Sequence, residues 1–325
     1  MNLKTYYLKF NAPLHVGNHR PDTYDVTEDY LRSDTITAAV FDTWAKMGKQ
    51  RLIPKDGSPI FTLSSAFPYM EEEGKKVHFF PRPKVRFNQN NEDGTIRKAI
   101  KKVSWLDLSY FEKVINQESL CLDKKSKHLK DAYLTFASNP NDRITKDVMH
   151  RVEISRKLVD REDSRPFYME RLFFKNAGLY FMVDADNENL KEALTFLQHE
   201  GFGTDRTVGN GLFELEEGSI EIRVPNNSDL STNLSLYTPS TKDDFLKFTE
   251  HSDVAFDTLK RGGWITTQGY IGKEKKSVRM FAEGGIWNHT LQIDGKSNIN
   301  LKPSSINSHP IWRSGRSLFI PIKTA

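Results

Sequence analysis

Twice along this chain an alternating strand pattern runs into a polar loop and then an amphipathic helix, and this repetition constrains the fold more than any other feature. In the first instance Tyr6, Leu8 and Phe10 alternate with Thr5, Tyr7 and Lys9 over Leu3 to Phe10. After a loop through His15 and Gly17, Ile36, Ala39, Val40, Thr43, Trp44 and Met47 recur at the spacing of a buried helix face. Asp34 or Ser33 is placed to cap that helix and Gly48 to end it. In the second instance a strand pattern over Arg171 to Val183 leads to a helix over Asn189 to His199, capped by Asp186 or Asn187, with Leu190, Ala193, Leu194 and Leu197 on one face. Phe213 and Leu215, a turn at Glu217-Gly218, and Ile220, Ile222 and Val224 then predict a β-hairpin. The repeat predicts an α+β protein of two ferredoxin-like (RRM-like) domains in tandem, with inserted β-hairpin and loop segments. The boundary falls at Ser164-Arg165-Pro166, dividing the chain into 1–165 and 166–325.

A chain of 325 residues has room for two such cores. The single cysteine, Cys121, excludes an intramolecular disulfide and a cysteine-based zinc site. The N-terminus leads straight into a strand, and no apolar run approaches a membrane span, so a cytoplasmic protein with no membrane contact is expected. A net charge of only +4 means that any nucleic-acid site must rest on localised charge.

Between the second helix and the next strand lies Gly201 to Phe213, with Gly201, Gly203, Gly209 and Gly211 around Asp205, Arg206 and Thr207. Glycine lets a backbone approach a ligand and offer its N–H groups to an anion, and arginine grips phosphate or stacks on a base. The loop lacks a Walker pattern and follows a helix, where a dinucleotide fingerprint would follow a strand. An RNA backbone is its leading ligand; a plain turn is the alternative. Cations interleaved with aromatics recur at Lys75, Lys76, Arg82, Lys84, Arg86, Arg97, Lys98, Lys101 and Lys102 beside Phe79, Phe80, Phe87 and Trp105. They recur at Arg151, Arg156, Lys157 and Arg161 beside Phe167 and Tyr168. Such sets suit single-stranded nucleic acid, with cations along the backbone and rings against splayed bases.

Catalytic apparatus is sparse. His15, with His19 and Asp34 nearby, is the one histidine that could act as a general acid or base on RNA, but no second group is placed to complete it. The acidic loop Asp22, Asp25, Glu28 and Asp29 matches no calcium loop, and neither a metal nor another cofactor is expected.

Five blocks resemble one family. They are Leu14 to Gly17, Ser33 to Ala39, Gly201 to Phe213, Lys276 to Trp287, and Ser314 to Ile322. Together they are similar to the RAMP-superfamily subunit of type III-A CRISPR effectors that caps the 5′ end of the guide RNA, Csm subunit four. The Arg279-Met-Phe-Ala-Glu-Gly284 run is the sharpest pointer, and this chain has Gly285 where the family usually has Ser. The resemblance implies two ferredoxin-like RAMP domains, glycine-rich loops and a projecting hairpin that hold the crRNA 5′ handle. It also implies contact with the large polymerase-like signature subunit and the first Csm backbone subunit, and no catalysis. The implied RNA contacts are His15, Gly17, Lys84, Lys101, Lys102, Arg156, Lys157, Gly203, Arg206, Gly209 and Gly211. Arg261, Lys276, Arg279, Gly284, Gly285 and Arg316 complete the set. A Cas-six-like endoribonuclease using His15 and a repeated, target-cleaving backbone subunit are the alternatives.

Overall fold

The computed structural model describes residues 1–17, 24–56, 60–89, 94–122, 127–153, 165–265, 269–270, 272–288, 299–306 and 308–324. The chain begins β1 (Asn2–Phe10), α1 (Ser33–Lys46), β2 (Phe67–Glu72), β3 (Lys75–Pro81), α2 (Gly94–Lys102), β4 (Trp105–Asp107) and α3 (Leu108–Ile115). It continues through β5 (Leu129–Lys130), β6 (Tyr133–Leu134), β7 (Ile144–Glu153), β8 (Arg165–Phe174), β9 (Ala177–Val183), α4 (Glu188–Glu200) and β10 (Phe213–Glu221). The C-terminal part carries β11 (Leu230–Asn233), α5 (Lys242–Phe248), β12 (Thr258–Arg261), β13 (Val278–Phe281) and β14 (Ile286–Asn288). It ends with β15 (Ile299–Asn300), β16 (Trp312–Arg313) and β17 (Phe319–Ile322).

A large sheet in the order β10-β1-β9-β2-β3-β4-β6-β5 organises the molecule. Its first four strands are antiparallel neighbours, and with α1 and α4 they form one β-α-β-β-α-β unit whose middle connection carries residues 73–176 as an insertion. The two strand–loop–helix openings are therefore two halves of one unit. A boundary at 165/166 does not separate two domains, because β1 lies between β9 and β10 and because Arg165 opens β8. The hairpin expected at Glu217-Gly218 is likewise absent. β10 runs straight through and pairs with β1 from Asn2↔Glu221 to Phe10↔Phe213. Gly218 makes room there, since a Cβ would lie 2.9 Å from the Tyr7 ring.

Both faces of the sheet are covered, which is why β1 is apolar on both sides. Tyr6, Leu8 and Phe10 pack with Ile36, Val40 and Trp44 of α1 and with Leu190, Leu194 and Leu197 of α4. Leu3 and Tyr7 face the opposite core, shared with Phe80, Phe111, Leu230, Ile286 and Ile320. Each such side chain contributes about 1.5–3 kcal/mol by leaving water. The α4 helix starts as expected, with Asn187 Oδ1 accepting from Leu190 N–H at 3.0 Å. The α1 helix does not. Arg32 is its N-cap residue and supplies no side-chain cap, while the Ser33 N–H donates to Ser65 Oγ at 2.9 Å. The Asp34 carboxylate is committed elsewhere.

Candidate nucleic-acid interface

A two-stranded ribbon rises from this frame. β7 and β8 pair from Ile144↔Phe174 to Glu153↔Arg165. The base of the ribbon is fixed by the segment after β1: Leu14 and Leu172 exchange backbone hydrogen bonds of 3.0 and 2.7 Å. His15 Nδ1 donates to the Glu170 carbonyl at 2.7 Å, and Glu170 Oε2 accepts from Thr27 N–H at 2.7 Å. Lys146 bridges to Asp29 at 2.6 Å. Cross-strand partners share a face, so Val148, His150 and Val152 line up with Glu170, Tyr168 and Pro166. That face is open: Val152 is 56% and Tyr168 52% exposed, and the His150 ring meets Tyr168 edge-on at 4.7 Å. The other face is anchored by buried Met169 and by Phe167, which contacts Tyr24 at 5.8 Å. A lone ribbon is marginal in water; this one is held by its base.

The glycine loop buttresses that base from behind. Arg151 of β7 pairs with Asp205 at 2.5 Å, and Thr204 N–H donates to the His15 carbonyl at 3.0 Å. Three of its glycines are needed by the protein itself: a Cβ on Gly201 would stand 2.7 Å from the Asn210 carbonyl, one on Gly203 2.2 Å from that of His15, and one on Gly211 1.9 Å from that of Phe202. The amides of Phe202, Thr204, Val208, Gly209, Asn210 and Gly211 donate to protein carbonyls. A phosphate cradle built from these N–H groups is therefore replaced by a folded buttress. Gly209 differs. Its φ is +86° and nothing lies within 4 Å of a would-be Cβ, beside exposed Val208. Arg206 is half-buried, 3.8 Å from Glu200. His15 is buried, and burial lowers its pKa, so the ring is neutral near pH 7.

Other expected contacts turn out to be structural. Arg261 is buried against Asp34, with Nε at 2.9 Å and Nη2 at 3.0 Å, and Arg313 joins the same carboxylate at 2.7 Å. Burial alone would push the Asp34 carboxyl up; Arg261 and Arg313 overcome it and hold it far below the usual range. A Cβ on Gly284 would meet the Arg82 carbonyl at 2.5 Å, and one on Gly285 would meet Asn233 Oδ1 at 2.7 Å and Trp287 Nε1 at 2.8 Å, so these glycines permit close packing. Neighbouring Glu283 takes hydrogen bonds from Tyr30, Arg32 and Ser65. Lys84 pairs with Asp257, and its N–H donates to the Gly284 carbonyl at 2.8 Å. Phe79, Phe80, Phe87 and Trp105 are core side chains, which removes them as stacking surfaces.

Exposed cations remain. α2 buries Ile96 and Ile100 and turns Arg97, Lys98, Lys101 and Lys102 to solvent. Lys276 and Arg279 are exposed on and beside β13, Gly17 is exposed where it bridges to Thr27, and Arg316 is half-buried. Arg156, Lys157, Arg161, His19 and Asp22 lie outside the described residues. Sequence reasoning did not find β7, whose Val148 and Val152 form the open face. The signal was the alternation Ile144, Lys146, Val148, His150, Val152, masked by its polar members. Among the described residues no cluster of three or more His, Cys, Asp or Glu could hold a metal, and no helix is long and apolar enough to cross a membrane.

The overall fold is shared with chains of solved CRISPR complexes. The chain aligns over 100% of its length with 99% of a chain from a Csm1–Csm4 cassette in complex with cA4, at TM-score 0.60 and 18% identity. It aligns over 99% of its length with 100% of a chain from a Csm3–Csm4 subcomplex of the type III-A CRISPR-Cas interference complex, at TM-score 0.60 and 16% identity. Residues 226–322 match the CRISPR Csm4 C-terminal domain. In sequence the chain is 25% identical to the CRISPR system Cms protein Csm4 of Thermococcus onnurineus, covering 79% of this chain and 82% of that protein. It is 23% identical to Csm4 of Streptococcus thermophilus, covering 99% and 100%. Residues 226–322 thus match a Csm4 C-terminal domain, and the chain is similar to CRISPR Csm4 proteins over most of its length.

Proposed function

We propose that this chain is a non-catalytic, cytoplasmic RNA-binding subunit of a type III-A effector, holding the crRNA 5′ handle between the large signature subunit and the first backbone subunit. The observation that carries the reading is the β7–β8 ribbon, fixed at its base and presenting Val148, Val152 and Tyr168 to solvent. Splayed bases stack on such aromatic surface whatever their identity, while cations follow the phosphates. Gly209, open on the adjoining loop, lets a strand pass close to the backbone. The partner assignment draws on relatives that occur in complexes with Csm1 and with Csm3. A second ferredoxin-like unit in the C-terminal part belongs to the same reading, with the β14-β11-β17 sheet as its centre.

The endoribonuclease alternative needs an exposed, titratable His15. The ring is instead buried, neutral and tied to the Glu170 carbonyl, which favours the binding role. Incubating the pure protein with repeat RNA in the absence of metal tests the choice. Binding of the handle without cleavage is expected, and specific cleavage abolished by His15→Ala would overturn the proposal. Native mass spectrometry of the tagged complex should show one copy per guide RNA; several copies would point to a backbone subunit.

A further inference from the structure

The β7–β8 ribbon is strapped to the frame at one residue. All three polar groups of Glu170 are taken by the segment that follows β1. Its N–H donates to the Tyr24 carbonyl at 2.9 Å, its carbonyl accepts from His15 Nδ1 at 2.7 Å, and its Oε2 accepts from the Thr27 N–H at 2.7 Å. The last of these is a charge-assisted hydrogen bond, roughly twice as strong as a neutral one. Lys146 closes the strap from the other strand. It donates to the Thr27 carbonyl at 3.1 Å and stands 2.6 Å from Asp29 and 3.7 Å from Glu170. The strap is fixed at its far end too. Thr27 is buried, its Oγ1 accepts from the Val16 N–H at 2.9 Å, and the Glu28 N–H donates to the Val16 carbonyl at 2.9 Å. Glu28 then pairs with Arg32 at 2.9 Å, and Arg32 with Glu283 at 2.5 Å. Lys146 thus lies between Asp29 and Glu170, and Arg32 between Glu28 and Glu283, so this network has no cation in excess and calls for no ligand.

Glu170 also marks where restraint on the open face ends. Its cross-strand partner is Val148, and from there outward Val148, His150, Val152 and Tyr168 are exposed. The opposite face is braced by the Arg151–Asp205 pair and by Phe167 against Tyr24. A two-stranded ribbon is marginal alone, so its tilt is set by such ties. We infer that Glu170 is a positioning residue: by clamping the Thr27 strap it fixes the angle at which the open ribbon face is presented. This deepens the reading of that face as an RNA surface, and rests on that reading only for the effect on RNA.

Two measurements on the full chain test it. In the first, Cys121→Ser removes the one native cysteine. Spin labels at Val152→Cys on the ribbon and Thr195→Cys on the exposed side of α4 then report a distance in the absence of RNA. That distance should be narrowly distributed in this background, broadened by Glu170→Ala, and restored by Glu170→Gln, which keeps an acceptor for the Thr27 N–H. Lys146→Ala should also broaden it, and adding this change to Glu170→Ala should do little more, because both act on one strap. Lys146 is exposed, so its variant decides the matter should Glu170→Ala fail to fold. A residue needed only for stability would lower the melting temperature without widening the distance. In the second measurement the unlabelled variants are titrated with handle RNA. Glu170→Ala should bind about tenfold more weakly, and Glu170→Gln close to the wild type. A distance distribution that neither Glu170→Ala nor Lys146→Ala alters overturns the inference, whatever the RNA does. A widened distance with unchanged RNA affinity overturns the positioning role. Failure of the wild type to bind RNA, with the distances responding as expected, overturns the handle reading and leaves the strap standing.

Discussion

Two basic stretches that look alike in sequence are opposite in structure. Arg261-Gly262-Gly263 with the distant Arg313, and Arg97 to Lys102 of α2, are both cations near glycine or aromatic residues. The first set is drawn inward by one carboxylate, Asp34, which stands 227 residues from Arg261. The second has an apolar inner face in Ile96 and Ile100 and no acid within the helix, so its charges stay in water. A basic cluster becomes core or surface according to whether the fold brings an acid to it. Arginine suits the first role through its planar fork, and lysine the second through its strongly hydrated ammonium.

The comparison breaks most severely at Asp34. Asp34→Asn should destabilise the protein by about 3–5 kcal/mol, since it leaves buried guanidinium groups unpaired; chemical denaturation measures this. The same change should alter the acid limb. The folded Asp34 carboxyl lies below its unfolded value of about 3.9, so its contribution is complete above that pH and is lost as pH falls below it. The variant should therefore lose stability less steeply on acidification than the wild type does. Equal stability and an equal acid limb would mean that the ion cluster is not what holds Arg261 and Arg313 inside.

The glycine loop and the ribbon sharpen the contrast. Gly211→Ala forces a Cβ to 1.9 Å from the Phe202 carbonyl at a φ of +74°, costing about 1–3 kcal/mol from the backbone conformation and more from the clash. Gly209→Ala meets open space and should cost only about 1–2 kcal/mol, the penalty of a left-handed residue. Melting curves of the pair should separate a packed glycine from an open one; equal losses would remove Gly209 as a point of ligand approach. On the ribbon, Tyr168→Ala should leave melting within about 0.5 kcal/mol yet weaken handle RNA binding by about 1–3 kcal/mol if a base stacks there. Unchanged affinity would take RNA off this face.

What was legible in the sequence was local. Leu190, Ala193, Leu194 and Leu197 define α4, and Asn187 caps it as read, because helix spacing and caps act within a few residues. What was not legible depends on partners far away. β1 pairs with β9 and β10 across more than half the chain, and two strand–helix openings look the same whether they close one sheet or two. Gly218 signals a turn by type but serves here to admit the Tyr7 ring. Phe79, Phe80 and Trp105 carry no local mark that separates a core ring from a stacking one. The ribbon escaped notice because Lys146 and His150 interrupt its apolar alternation, and such polar side chains suit a strand face open to water.

The smallest expected effect is also the cleanest test of the surface half of the comparison. Lys101 and Lys102 are exposed at the C-terminal turn of α2, where cations also complement the helix dipole. Replacing both by Ala removes that modest favour but adds helix propensity, so the melting temperature should hardly move. If both ammonium groups follow RNA phosphates, the log–log salt slope of handle binding should fall by about 1.4, twice the 0.7 of one phosphate contact on a single strand. The effect on the slope should be the same for handle and unrelated RNA, because phosphate contacts carry no sequence information. A flattened slope with intact melting places α2 along the strand. An unchanged slope makes it a solvated face, and the charge that meets RNA must then come from other exposed cations such as Lys276 and Arg279.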